Sequence, residues 1–168
     1  SAGNVVVAAA GGFDGAAFLR DVEAAFGAMP RGSDNVVPAP AWVGGLKLRR
    51  MAGSSQCHAV LGFPMPSLHD EAHLPFVMAA ALFGEGMSSP LMDQIRERRG
   101  LAYYAACSAD VFDLCGQFVV EASIGPDKLD EYLRELMRLL AAHTDRIDAV
   151  DLERAHNQLA VRRLHGHE

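Results

Sequence analysis

Two β-rich apolar runs, YYAACSADVF (103–112) and QFVVEASI (117–124), are separated only by DLCG. Strands this close must pair antiparallel through a tight turn, because a parallel return needs a crossover of about a dozen residues. The hairpin leads directly into KLDEYLRELMRLLAAH, opened by Asp127, in which Leu129, Leu133, Leu136 and Leu140 recur at helical spacing. A sheet with one apolar face followed by a helix with one apolar stripe has an obvious solution, which is to bury each against the other.

The same alternation runs through the rest of the chain. NVVVAAAG (4–11), with three consecutive valines, reads as a short buried strand, and Asp14 caps a helix over 15–27 whose Phe18, Val22, Ala25 and Phe26 share a face. Residues 28–45 are rich in proline and glycine and lack periodicity, so they read as a surface connector. LKLRRM (46–51) and QCHAVLGF (56–63) read as strands joined by AGSS. His58 lies on one of these strands and is assigned no role. A helix over roughly 70–83 follows, with FVMAAALF as its apolar body and Pro75 confined to its start. Ser89 and Pro90 form a cap and first-turn pair for a short helix in which Leu91 and Ile95 face inward and which Gly100 stops. Asp148 caps a last helix that runs to Glu168 without a C-terminal cap. The order β-α-β-β-α-α-β-β-α-α predicts an α+β fold, a two-layer sandwich of an antiparallel-rich sheet with helices on one face.

Charge and cysteine content exclude several functions. A net charge of −6 argues against nucleic acid as a partner, since a basic face is required to meet phosphate. No apolar run is long enough for a membrane span, and no signal peptide opens the chain. The start at Ser1 instead of Met suggests processing or excision from something longer. Cys57, Cys107 and Cys115 lack C-x-x-C spacing and read as small buried residues of a reducing compartment. A cytoplasmic location is expected, with periplasmic export of reduced thiols left open.

One motif invites a metal reading. SLHDEAHLP (67–75) spaces His69 and His73 four apart, the separation at which helical zinc sites present two imidazoles. The carboxylate is in the wrong place, however. H-E-x-x-H and H-x-x-E-H set it beside the metal-bound water, whereas Glu71 is rotated by about 200° from either histidine at ~100° per residue. Pro75 also places His69 before or at the helix start. The stretch therefore reads as a capped helix start with solvated histidines, and no metal ligand is assigned.

FGEGMSSPLMDQIRERRGLAYYA (83–105) carries the most information. Here the chain resembles the pitrilysin/insulinase-type zinc peptidases, most closely bacterial relatives of mitochondrial processing peptidase. Their pattern is a Gly-rich turn, Ser-Ser-Arg-Leu, a helix, and Arg-Gly-Leu-x-Tyr entering a strand. NVVVAAAGGFD, AFGAMP, VLGFPMP, IGPDKLDEYLREL and DLERAHNQL follow in family order, so the resemblance covers nearly the whole chain. Pro90 departs from it, standing where the family usually has arginine, so that arginine's contact near the turn is expected to be missing.

The resemblance implies a division of labour. Family peptidases pair a domain bearing H-x-x-E-H with a second, related domain that supplies an arginine and a tyrosine, seven residues apart, to hold substrate. Residues 1–27 then correspond to the last strand and helix of the preceding N-terminal domain, 28–45 to the linker, and 46–168 to the substrate-holding domain. H-x-x-E-H occurs nowhere in the chain, so zinc is expected in the full-length enzyme, bound by the N-terminal domain, and this portion alone is expected to be inactive. Arg96 and Tyr103 match the pair in type and spacing. Arg98 and Arg99 stand five and four residues from Tyr103 and do not. Implied partners are a peptide or unfolded protein substrate, the N-terminal catalytic domain or a homologous subunit, and further copies in a homo-oligomer. The rival reading is a non-catalytic structural subunit of the same fold, like the core proteins of the respiratory cytochrome complex. An H-x-x-E-H in the preceding region discriminates the two.

Overall fold

The hairpin forms the middle and one edge of a three-stranded antiparallel sheet. In the computed structural model, which describes residues 2–33, 36–145 and 147–165, β1 (Cys57–Met65), β2 (Ala102–Val111) and β3 (Gly116–Ile124) are ordered β1-β3-β2. The Phe112 N–H donates to the Cys115 carbonyl at 2.9 Å and closes the β2–β3 turn. β1 joins the other side of β3, from Cys57↔Ile124 to Met65↔Gly116. Because side chains alternate between faces, Val120, Ala122, Ile124 and Ala105 enter the core while Ser123, Glu121 and Tyr104 face away from it.

Helices cover the apolar face, as the α+β reading expects. α2 (His73–Gly84) is apolar around its whole circumference, which suits a helix buried on two sides. Phe83 and Ala80 join the sheet core, while Ala81 and Leu82 pack with Ala155 and Leu159 of α4 (Ala149–His165). Full burial of side chains such as Phe83 and Leu82 stabilises by about 1.5–3 kcal/mol each. α2 begins three residues later than expected because the Asp70 carboxylate accepts the Ala72 N–H at 2.9 Å and closes a turn there. Pro75 then falls in the first turn, where its missing N–H has no intrahelical acceptor to lose.

Two contacts fix α2 against its neighbours. A Cβ on Gly84 would lie 2.2 Å from the Cys107 Cβ and 2.7 Å from the Cys107 nitrogen, so helix and strand approach as closely as they do only because this residue is glycine. At the C-terminal end of α2, the Arg154 guanidinium donates to the carbonyls of Leu82 at 3.2 Å and Glu85 at 3.0 Å, acceptors the helix itself leaves unsatisfied.

α3 (Leu129–Asp145) supplies the other cover. Its inward stripe contains Leu136, Leu129, Leu133 and Leu140 as expected, together with Tyr132 and Leu139, which the leucine count missed. Glu135 is buried on the same helix and is bonded by Arg138 and Arg99. α4 is capped by Asp148, whose carboxylate accepts the Val150 N–H at 2.8 Å. The expected uncapped end of this helix at Glu168 lies outside the described residues.

Two expected strands do not form. Residues 5–10 join no ladder among the described residues, and Val5, Val6 and Val7 are exposed. The chain starts in a 3-10 turn, Ala2–Asn4, with the Ala2 and Gly3 N–H groups donating to the Pro30 and Arg31 carbonyls instead of to a ladder. LKLRRM (46–51) likewise stays irregular, with Leu46, Leu48 and Met51 exposed, because its alternation gains nothing unless one face is covered. The chain divides into two compact units, Ser1–Pro38 and Ala39–Glu168. The first holds α1 (Gly15–Phe26), whose Asp14 cap accepts the Ala16 N–H at 2.9 Å and the Ala17 N–H at 3.2 Å.

Candidate functional site

Between α2 and β2 the chain makes two irregular turns in succession. Ser89 is buried, its hydroxyl accepts the Met92 N–H at 3.3 Å, and Leu91, Met92 and Ile95 sink into the core. The helix they anchor is a π-helix over Met92–Arg98 and not the α-helix the spacing suggested. Leu91, at its N-cap, and Met92 and Ile95 within it are buried, while Arg96 and Arg98 remain outside. Gly100, at φ +56°, then turns the chain through the left-handed region, and the Leu101 N–H closes back on the Ile95 carbonyl at 2.8 Å.

The second irregularity is a β-bulge. Ala102 pairs with Ile124 and Tyr104 with Ser123, so Tyr103 has no partner across the ladder. The extra residue breaks the alternation, and both Tyr103 and Tyr104 turn outward between the buried Ala102 and Ala105. Two adjacent tyrosines in a strand otherwise alternating around alanine were the sequence signal for it.

The result is a cleft of about 400 Å³ lined by Arg96, Gly100, Leu101, Ala102, Tyr103, Gly125, Asp127 and Lys128. It contains both residues picked from the sequence. The hydrogen bonds around it separate them from their neighbours. Arg98 pairs with Asp93 at 2.8 Å and Arg99 with Glu135 at 3.2 Å, while Arg96 has Glu97 at 3.7 Å and the Met87 sulfur at 3.9 Å. Tyr104 donates to the Glu121 carboxylate at 2.9 Å, and that bond with a carboxylate raises its pKa. The Tyr103 hydroxyl makes no hydrogen bond among the described residues, and the residue is 67% exposed. Lys128 and Asp127 line the same cleft from the 3-10 turn Pro126–Lys128; sequence reasoning assigned Lys128 no role and Asp127 only that of opening the helix, which begins at Leu129.

Other candidates carry less. A wider depression of about 1360 Å³ runs along residues 43–60, but its walls are largely the irregular chain of 43–56, which does not fix side chains as helices and strands do. His58 does have a partner, the Ser123 hydroxyl at 2.9 Å across the ladder. No hydrogen bond to a further group orients the imidazole among the described residues, so this is a cross-strand polar pair and not a base-activated nucleophile. Cys107 is buried, and burial pushes its thiol up to about 12, leaving it inert near neutral pH. In the HDEAH stretch, His73 opens α2 with its Nδ1 2.7 Å from the Asp70 carbonyl, and His69 and Glu71 precede the helix. The two imidazoles therefore do not share a helix face. Among the described residues no three of His, Cys, Asp and Glu cluster as metal ligands. With H-x-x-E-H absent from the sequence, the chain's donor set does not fit a catalytic zinc.

The fold is shared with domains of solved peptidase structures. A protease from Helicobacter pylori superposes with a TM-score of 0.65 at 18% identity, covering 88% of this chain and 38% of that one. The peptidase M16 inactive domain from Pseudomonas fluorescens gives 0.60 at 21% identity, over 64% and 26% of the two chains. The family profile described as the peptidase M16 inactive domain matches residues 1–159, and the chain belongs to that family. An uncharacterized zinc protease of Rickettsia felis is 30% identical over 161 residues, 95% of this chain and 39% of the relative. One from Streptomyces coelicolor is 33% identical over 139 residues, 78% of this chain and 30% of the relative. The chain thus spans well under half the length of these curated relatives. No helix among the described residues is long and apolar enough to cross a membrane.

Proposed function

We propose that this chain is the peptide-holding part of a zinc metallopeptidase, that a preceding domain carries the catalytic zinc, and that Arg96 and Tyr103 hold the substrate. One observation carries the reading: of three clustered arginines and two adjacent tyrosines, the arginine and the tyrosine least committed to other groups line one cleft. Arginine presents a planar fork of donors to a peptide carbonyl or carboxylate, and the phenol adds a donor beside it. Both sit on irregular backbone, a π-helix and a bulge, of the kind enriched at functional sites. β2 is an edge strand, so a peptide can add to it as a further strand.

The partner surface is in keeping with this reading. Phe13, Leu19 and Phe26 around α1, with Val5, Val6 and Val7 before it, are exposed. In this proposal residues 1–27 belong to the preceding domain and those groups are covered by it. The test is kinetic, in the full-length protein. Arg96→Ala and Tyr103→Phe are each expected to lower kcat/KM roughly ten- to a hundredfold, the loss of ~1.5–3 kcal/mol for a charge-assisted bond to substrate, and Arg98→Ala to do much less. Sensitivity at Arg98 with silence at Arg96 overturns the pairing. A full-length protein without H-x-x-E-H and without peptidase activity overturns the enzyme and leaves the structural subunit.

A further inference from the structure

Lys128 occupies a position in the cleft that the holding of a peptide backbone does not require. Its ammonium donates to the Gly100 carbonyl at 3.0 Å, which pins its head to the turn between Arg96 and Tyr103. That bond uses one of three N–H donors, and among the described residues no carboxylate lies within 4.0 Å of it. Arg96 is little better matched, since its nearest carboxylate, that of Glu97, lies beyond hydrogen-bond distance at 3.7 Å. Against these two cations the cleft lining sets one carboxylate, Asp127. A chain of net charge −6 has therefore placed an excess of positive charge in this cleft.

We propose that the cleft is a subsite selective for a carboxylate on the bound peptide, either an acidic side chain or a terminal carboxyl group, and that Lys128 sets the preference. The inference rests on the peptide-holding reading above. A neutral segment entering the cleft strips water from two incompletely matched cations and returns little; a carboxylate accepts from both. The Tyr103 hydroxyl offers a further donor, so two carboxylate oxygens can be met by three side chains on separate elements. Asp127 opposes the effect and disfavours a second acidic group beside the first.

The experiment titrates three terminally blocked peptides, identical except for Glu, Gln or Lys at one position, into the isotope-labelled full-length protein, following the backbone amides of Gly100, Tyr103 and Lys128. The Glu peptide is expected to bind about three- to tenfold more tightly than the Gln peptide, a range set by the partial exposure of the cations, and the Lys peptide more weakly than both. Lys128→Met is expected to bring the Glu-to-Gln ratio to one, Lys128→Arg to keep it, and Asp127→Asn to raise it. A ratio of one in the unmodified chain, or a preference that survives Lys128→Met, overturns the proposal. If Glu and Gln peptides bind equally and both weaken in Arg96→Ala, peptide holding stands and charge selection falls. If no peptide shifts the cleft amides, both fall. A fourth peptide, neutral but with a free C-terminal carboxyl group, separates a terminal carboxylate from an acidic side chain as the group recognised.

Discussion

The middle and the start of β2 are built on opposite terms. Near its middle, Cys107 meets Gly84 of α2 so closely that no additional carbon fits between them. At its start, on the bulge itself, Tyr103 stands in an open cleft with its hydroxyl unbonded among the described residues. The first arrangement gains from close packing of apolar groups. The second keeps groups under-bonded, and such groups contribute little to folding and much to whatever they eventually bind. The bulge separates the two regimes, since it ends the strict alternation that buries every second side chain.

Substitutions should separate the two regions, beginning where packing is tightest. Gly84→Val places carbon against the Cys107 backbone as well as its side chain, and backbone cannot swing aside. The expected loss is about 3 kcal/mol, a fall in Tm of roughly 6–12 °C by thermal unfolding. A melting temperature unchanged by Gly84→Val would show that the seam opens freely and remove the contrast.

Glu135 is intermediate, a buried carboxylate held by partly exposed arginines. The hydrogen bond from Arg138, with the charges of Arg138 and Arg99, holds its carboxyl below the usual carboxylate range despite burial. Its stabilisation is therefore fully present above the unfolded-state value near 4.5 and is lost as pH falls through the lower folded-state value. Glu135→Gln should cost about 1 kcal/mol near neutral pH, since its partners are solvent-screened, and should flatten the fall of stability in acid. Urea unfolding at a series of pH values measures both. The smallest effect belongs to the cleft, where Arg96→Ala and Tyr103→Phe should each change stability by less than ~0.5 kcal/mol. A larger loss there would make the cleft a structural joint and shift the boundary between the regimes.

Much of this was legible from local pattern. The hairpin, the two caps Asp14 and Asp148, and the leucine stripe of α3 follow from spacing that neighbours in sequence decide. Residues 4–11 and 46–51 were misread because a strand exists only if another strand and a covering layer accept it, and neither is encoded within the run itself. The π-helix was not legible for a related reason. Leu91, Met92 and Ile95 fall within about 100° of one another on an ordinary helix too, so their pattern does not distinguish the wider turn. In the cleft, Arg96 and Tyr103 stood out through the residue spacing of the family the chain resembles, whereas Lys128 arrives from beyond the hairpin and its bond to Gly100 joins distant parts of the chain.

The strand order β1-β3-β2 bears on how the chain is made. β1 leaves the ribosome before the helices and the strand that precede its partner, and Cys57 must wait for Ile124 before its ladder can close. In that interval the apolar α2 has already been synthesised with no sheet to lie on, while β2 and β3 can close on each other within a short loop as soon as both emerge. The hairpin is thus the first template available, and β1 docks onto an edge that already exists. A pause in translation after Ile124 would give β1 time to dock; one placed before β3 would prolong the exposure of α2.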